Sequence, residues 1–502
     1  MRKISNMKLE IYNIKTLLTD GQTLNRVLLN LHYVLKKCNV NRIADFLGTL
    51  RDDLMVGVES EYVDAMYRDE YYRFYATKLH RYDRNCIKLT FFKPGHLQEG
   101  KTVDYSLSKE IVDDFVGFLV IRPLMAAIGR NVISPEALRP DLVDVKVCRS
   151  PVETTALGLK VCVNGYPHSS QDGEMMACAE TALWSIAEYY GHKYSEYKLV
   201  RPSDILDAMR PHSDHRQLPS EGLTFEQISV GLCRFGFSTQ IYNLYEVQKD
   251  NNGHDSLVMK SIMKEVLTCY IESGFPIALC LIGAEIGHAV VCVGRQIKSR
   301  KDALNQENIS GKNYFVWNQG INTIVLNDDN VSPYQKASID HPTTYYNKTR
   351  WNDVLLRQFM VPLPSKVYMD AYIAIPLSKR IMADVLNAPI DSVIRTFLAS
   401  SRSFRNHIAT SNLMTNDTKE VLLNLNLPKF VWVSEIADVT NFQGEMANGI
   451  IVLDATEPTK TVEIPLLVCV LGSNGFIYER NAFKKLGLSS PLLIETYNKN
   501  IQ

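Results

Sequence analysis

The sequence predicts an α+β protein of several domains. At 502 residues the chain is long enough for two to four units, each burying its own core. Helical and strand-like periods are mixed in its N-terminal and C-terminal thirds, while in the middle helices come first and strands afterwards. The expected division is residues 1–155, 156–360 and 361–502. No repeat and no low-complexity tract interrupts it.

In the first stretch, Leu24, Val27, Leu28, Leu31, Val34 and Leu35 recur at helical spacing and predict a helix over 24–37. A second helix is expected from Glu59 to Tyr82, where Tyr62, Met66, Tyr71, Tyr75 and Leu79 form a tyrosine-rich stripe suited to packing. The runs 86–92 and 116–121 read as strands, stopped by Pro94-Gly95 and Arg122-Pro123. The middle stretch opens with a helix from Cys178, whose apolar positions Ala179, Ala182, Leu183, Ile186 and Tyr190 face one way. Gly191 is its natural stop. Helices are expected at 202–210, after Thr224 as N-cap, and at 257–273, with strands at 237–244 and 275–282. In the last stretch 360–364 reads as a connector, and 392–403 and 418–425 read as helices, the first with Arg395, Arg402 and Arg405 on a solvated side. Strands are expected at 430–433, 449–454 and 465–470.

Three segments carry residues with chemistry. Cys178 opens a helix behind the polar loop Gln171-Asp172-Gly173-Glu174, and the positive end of a helix favours thiolate over thiol. Taken alone, a free cysteine in an apolar stretch is more often a small core residue. Residues 288–294, His-Ala-Val-Val-Cys-Val-Gly, read as a buried strand with a histidine at its mouth. Residues 323–330, Thr-Ile-Val-Leu-Asn-Asp-Asp-Asn, read as a short strand ending in carboxamides and carboxylates. Nucleophile at a helix start, base at a strand start and orienting group at a strand end is the logic of thiol acyl transfer.

On these residues the chain resembles the papain-like cysteine peptidases, in particular the bacterial branch that trims double-glycine leader peptides in bacteriocin export. The carriers are the Gln before a helix-opening Cys, the Tyr189-Tyr190-Gly191 helix end, GHAVVCVG and VLNDD, over about residues 160–335. The resemblance implies a papain-like central domain, a helix layer on an antiparallel sheet, flanked by N- and C-terminal α+β domains. It implies a thiol hydrolase acting on a peptide or isopeptide bond, with Cys178 as nucleophile, His288 as general base, Asp328 orienting the imidazole and Gln171 donating to the oxyanion. Asn318, at the end of the strand-like 314–317, is a rival to Asp328. Two other readings stay open: a transglutaminase-like acyltransferase using the same groups, and a binding module that keeps the fold without chemistry.

Lysine plus arginine balances aspartate plus glutamate at 55 each, which gives no electrostatic case for nucleic acid as partner. The expected partner is a protein or peptide substrate, and the sequence leaves oligomeric state open. No apolar run is long enough to span a membrane and the N-terminal residues do not read as a secretory signal, so a cytoplasmic location is expected. The ten cysteines are scattered, mostly within apolar runs, as reduced core thiols are. No cofactor and no metal site is expected; the cluster His212-Ser213-Asp214-His215 lacks further ligands at a spacing that would complete a shell.

Overall fold

The computed structural model describes residues 9–501 apart from 20, 29–39, 141–144, 214–215, 250–254, 298–303, 459–464 and 480–481. Among the described residues the protein is mixed α+β, with mainly antiparallel sheets. It packs as two compact units, each drawn from separate stretches of chain. The first comprises 1–236, 287–292 and 325–335, and the second 237–286, 293–324 and 336–502.

The first unit is built on a seven-stranded antiparallel sheet. Its order is Leu9–Asn13, Met55–Tyr62, Cys86–Phe92, Phe115–Ile121, Ile128–Ile133, Leu159–His168 and Ser150–Ala156. The two apolar runs 86–92 and 115–121 are buried at every position, as expected of central strands. Residues 150–156 and 159–168 form a hairpin whose two turn residues, Leu157 and Gly158, both have positive φ, the requirement of a type I′ turn. Along 159–168 burial alternates at first and then becomes continuous over the last four residues, where the chain runs into the interior.

The helix expected at 59–82 starts later. Residues 59–62 complete a strand paired with 86–88, and the helix is Ala65–Arg73, with Asp64 accepting the Tyr67 amide as its cap. Of the helix expected over 24–37, the described part is the end of Gly21–Leu28; residues 29–37 lie outside the described ones. The helix opening at Cys178 runs to Lys193, past the expected stop. Gly191 serves packing instead: a Cβ there would stand 3.0 Å from the Leu199 amide nitrogen and the Lys198 carbonyl oxygen. Nor is the helix apolar on one stripe only. Every residue from Ala179 to Tyr190 is buried, because the hairpin 150–168 packs on one side and the helices Pro202–Met209 and Phe225–Arg234 on others. Thr224 caps the last of these in a reciprocal pair with Gln227, as the sequence suggested.

In the second unit, Ile277–Ile282, Leu355–Pro364 and Phe237–Asn243 pair antiparallel, so the expected connector 360–364 is the end of a strand. An eight-stranded sheet runs from Asn305–Ile309 through Lys312–Val316, Val393–Ser400, Phe430–Ala437, Gly449–Asp454, Leu466–Leu471 and Asn474–Glu479 to Ala482–Gly487. The expected helix at 392–403 is therefore mostly strand. Val393–Ser400 pairs residue for residue with 430–437, and helix begins only at Ser401. Arg395 is buried in that strand rather than solvated. The helix expected at 257–273 is Ser261–Glu272, preceded by a strand, Asp255–Met259. No described helix is long and apolar enough to cross a membrane.

Candidate active site

All the residues of this site lie in the first unit. The strand Leu159–His168 delivers the chain to a loop that turns back into the Cys178 helix. That loop is ordered by one carboxylate: Asp172 Oδ1 accepts the amides of Glu174, Met175 and Met176, while Gly173, at φ +73°, makes the turn. Beneath it the buried guanidinium of Arg122, ion-paired with Glu70, donates to the Ser170 carbonyl at 2.8 Å. Cys178 is thus the first residue of the helix on a pinned support, half-buried, behind an N-cap alanine. Glu180, also in the first turn, is buried, and burial raises its pKa.

His288, the second residue of the strand Gly287–Gln296, and Asp328, just past the strand Thr323–Asn327, are carried by neighbouring strands of one sheet. His288 Nε2 stands 2.9 Å from Asp328 Oδ1, and the ring is also hydrogen-bonded to the Cys178 thiol. Nucleophile, imidazole and carboxylate are joined in one chain of hydrogen bonds. Burial disfavours the imidazolium, but the charge and hydrogen bond of Asp328, the Cys178 hydrogen bond and the charge of Asp329 outweigh it. The histidine pKa is raised well above its ordinary value.

The segment 327–334 is held from several sides. Tyr334 donates its amide to Asn327 Oδ1 and its hydroxyl to the Ile133 carbonyl, and accepts the Tyr166 amide, all within 3.0 Å. His168 Nε2 donates to the Asp328 carbonyl at 3.0 Å and its Nδ1 accepts from Asn131 at 3.0 Å. Burial lowers the His168 pKa to about 4, so it stays a neutral, fixed tautomer. Arg42 donates to the Asn330 carbonyl at 2.6 Å.

Of the expected site residues, Cys178, His288 and Asp328 are brought together. Gln171 is tied to the same cluster at one remove, its carboxamide 3.0 Å from that of Asn330, which in turn lies 3.3 Å from His288 Nε2. Asn318 belongs to the second unit, where its carboxamide bonds both backbone groups of Thr396. The sequence reading missed His168, Asp329 and Asn330. The run Asn327-Asp328-Asp329-Asn330 straight after a buried strand was the available signal for the last two, but identity along such a run does not say which side chains turn inward.

Asp329 is buried, and among the described residues neither carboxylate oxygen has a hydrogen-bond partner; the nearer lies 3.6 Å from His288 Nε2. Burial and the neighbouring Asp328 charge raise its pKa against the pull of His288. It lines a cavity of about 10 Å³ behind the thiol, with Cys178, Ser185 and Asn327, room for about one water. His288, Asp328 and Asp329 have ligand atoms within 4.8 Å of one another and are a set that could hold a metal ion. Of the cluster at 212–215, Asp214 and His215 lie outside the described residues. Among the described residues no cysteine is paired in a disulfide.

No protein-family profile matches the sequence, and no curated protein matches it.

Proposed function

We propose that the protein is a papain-like thiol hydrolase that cleaves a peptide or isopeptide bond. The observation that carries this reading is the imidazole of His288, bonded on Nε2 to Asp328 and also to the thiol of Cys178 at a helix start. With Nε2 committed to the carboxylate, the other ring nitrogen takes the thiol proton. The resulting imidazolium is stabilised by Asp328, and the thiolate attacks the carbonyl carbon. The tetrahedral oxyanion is held by the Cys178 amide and Gln171, each such donor typically contributing about 2.7–4 kcal/mol. The imidazolium then protonates the leaving amine, and water releases the acyl group from the thioester.

An acyltransferase of transglutaminase type would use the same first half-reaction with an amine in place of water, and product mass spectrometry with and without a primary amine separates the two. The test of the shared step is covalent labelling by a thiol-directed peptide probe. Wild-type protein is expected to be labelled and Cys178→Ala, with unchanged circular dichroism, is expected not to be. Equal labelling of the variant would remove Cys178 as nucleophile, and an unreactive Cys178 in the wild type would favour a binding module.

A further inference from the structure

Asn330 sits where three parts of the site meet. Its amide donates to Asp328 Oδ1 at 2.9 Å and its carbonyl accepts from Arg42 at 2.6 Å, which fixes its backbone. The remaining freedom is a half-turn of the carboxamide, which exchanges oxygen and nitrogen. As placed in the structure, its Nδ2 lies 3.3 Å from His288 Nε2 and its Oδ1 accepts from Gln171 Nε2 at 3.0 Å, so the orientation argued below turns both carboxamides over.

The proton on the imidazole decides which end is which. Whether the cysteine and histidine are neutral or an ion pair, the nitrogen nearest Asp328 carries hydrogen. In the neutral pair the thiol donates to the other ring nitrogen, and in the ion pair that nitrogen donates to the thiolate. A donor therefore faces Asn330, and a second donor, the Asn330 NH2, would repel it. The stable arrangement has the Asn330 oxygen toward Nε2–H. Its NH2 then points at Gln171, which must offer its own oxygen in return, and the Gln171 NH2 is left with no claim on it from Asn330.

We propose that Asn330 is a positioning residue that holds the Gln171 carboxamide with its NH2 free to bind an oxyanion, in register with the proton on His288 Nε2. The assignment of an oxyanion to Gln171 rests on the thiol-hydrolase reading; the orientation of the two carboxamides does not.

Neutron diffraction from crystals of the full chain exchanged into heavy water reads the orientation directly. Expected are deuterons on His288 Nε2 and on the Asn330 atom that faces Gln171. Deuterons on the Gln171 atom that faces Asn330 would overturn the proposal. A second measurement follows the consequence, using glycyl-glycinal, a peptide aldehyde. The Cys178 thiolate forms a C–S bond to its carbonyl carbon, and the π pair moves to the oxygen that the free NH2 would hold. Gln171→Ala is expected to weaken this adduct by about a hundredfold. Asn330→Asp offers acceptors only, draws the Gln171 NH2 back to itself, and is expected to weaken the adduct similarly while making Gln171→Ala nearly silent. Losses that simply multiply in the double variant would refute the coupling. If the wild type forms no adduct, the hydrolase reading fails, and the deuteron positions still decide the orientation of Asn330.

Discussion

Each unit buries a cluster of charge, and the two clusters are finished differently. In the second unit Arg395 donates through Nε and Nη2 to Glu272 and through Nη1 to Glu435 and the Tyr497 carbonyl, at 2.7–2.9 Å. The other oxygen of Glu272 takes Arg295, and the other oxygen of Glu435 takes the Tyr497 amide. Each carboxylate oxygen and each guanidinium nitrogen of Arg395 is used. In the first unit the cluster around His288 is left incomplete: among the described residues both oxygens of Asp329 and the Asn327 nitrogen are buried without a hydrogen-bond partner, and a half-buried thiol lies at its edge. A saturated network fixes a fold; an unsaturated one keeps polar groups ready for something else.

The sharpest way to break this comparison is to remove a partner from the saturated side. Arg395→Met leaves Glu435 buried with only the Tyr497 amide and Glu272 with Arg295 alone, and is expected to lower the unfolding free energy by about 3–5 kcal/mol in urea titration. A loss under about 1 kcal/mol would mean that water reaches the network and that it is a surface ion pair in kind.

Acid offers the next contrast. Burial opposes the charge of Glu272, but Arg295 and Arg395 prevail and hold its pKa at about 2 against an ordinary 4.5. The folded state therefore binds fewer protons than the unfolded one between those values, and the stabilisation is lost as pH falls through that window. His168 is the counterpart in the first unit. Its depressed value, about 4 against 6.5, makes its contribution fall from pH 6.5 downward. Difference curves against Glu272→Gln and His168→Gln, from urea midpoints at stepped pH, should show the two windows separately. A Glu272→Gln difference that does not change below pH 4.5 would contradict the sign.

On the unsaturated side the effects shrink. Asp329→Asn removes a carboxylate held only by the charge of His288 at 3.6 Å and by no hydrogen bond among the described residues, so its expected effect on stability is about 1 kcal/mol or less in either direction. A loss of several kcal/mol would show that Asp329 is anchored after all. Least of all should respond to chelation. Labelling of Cys178 is expected to be the same with and without EDTA, and a loss restored by a divalent cation would reassign His288, Asp328 and Asp329 as metal ligands.

Much of the candidate site is legible in the sequence because local patterns mark its positions. A cysteine that begins a 3.6-residue period, a histidine that begins a buried run and a carboxylate that follows another are end-of-element signals, read without knowing the fold. The errors arise where a distant partner decides. Residues 393–400 carry an arginine in their middle and read as one face of a helix, yet they lie between two other strands, and two glutamates far away in sequence, Glu272 and Glu435, accept that arginine. Residues 360–364, with prolines at 362 and 364, read as a connector, yet they pair with 237–241. The tyrosine stripe lies on a shorter helix than its spacing predicts, because the strand pairing of 59–62 overrides the local preference there.

What the sequence determined by itself is the list of reactive groups and the element end on which each stands, since backbone period and turn residues are local properties. Which of Asp328, Asp329, Asn330 and Asn318 meets the imidazole was decided only by tertiary structure. The first three are consecutive in one turn, and their directions are set by Tyr334, His168 and Arg42 holding that turn from the protein side. The fourth is claimed by the backbone of Thr396. Hydrogen-bond geometry acts over about 3 Å and is blind to sequence distance, so along the chain only the family resemblance, not the local pattern, favoured Asp328 over its neighbours and Asn318.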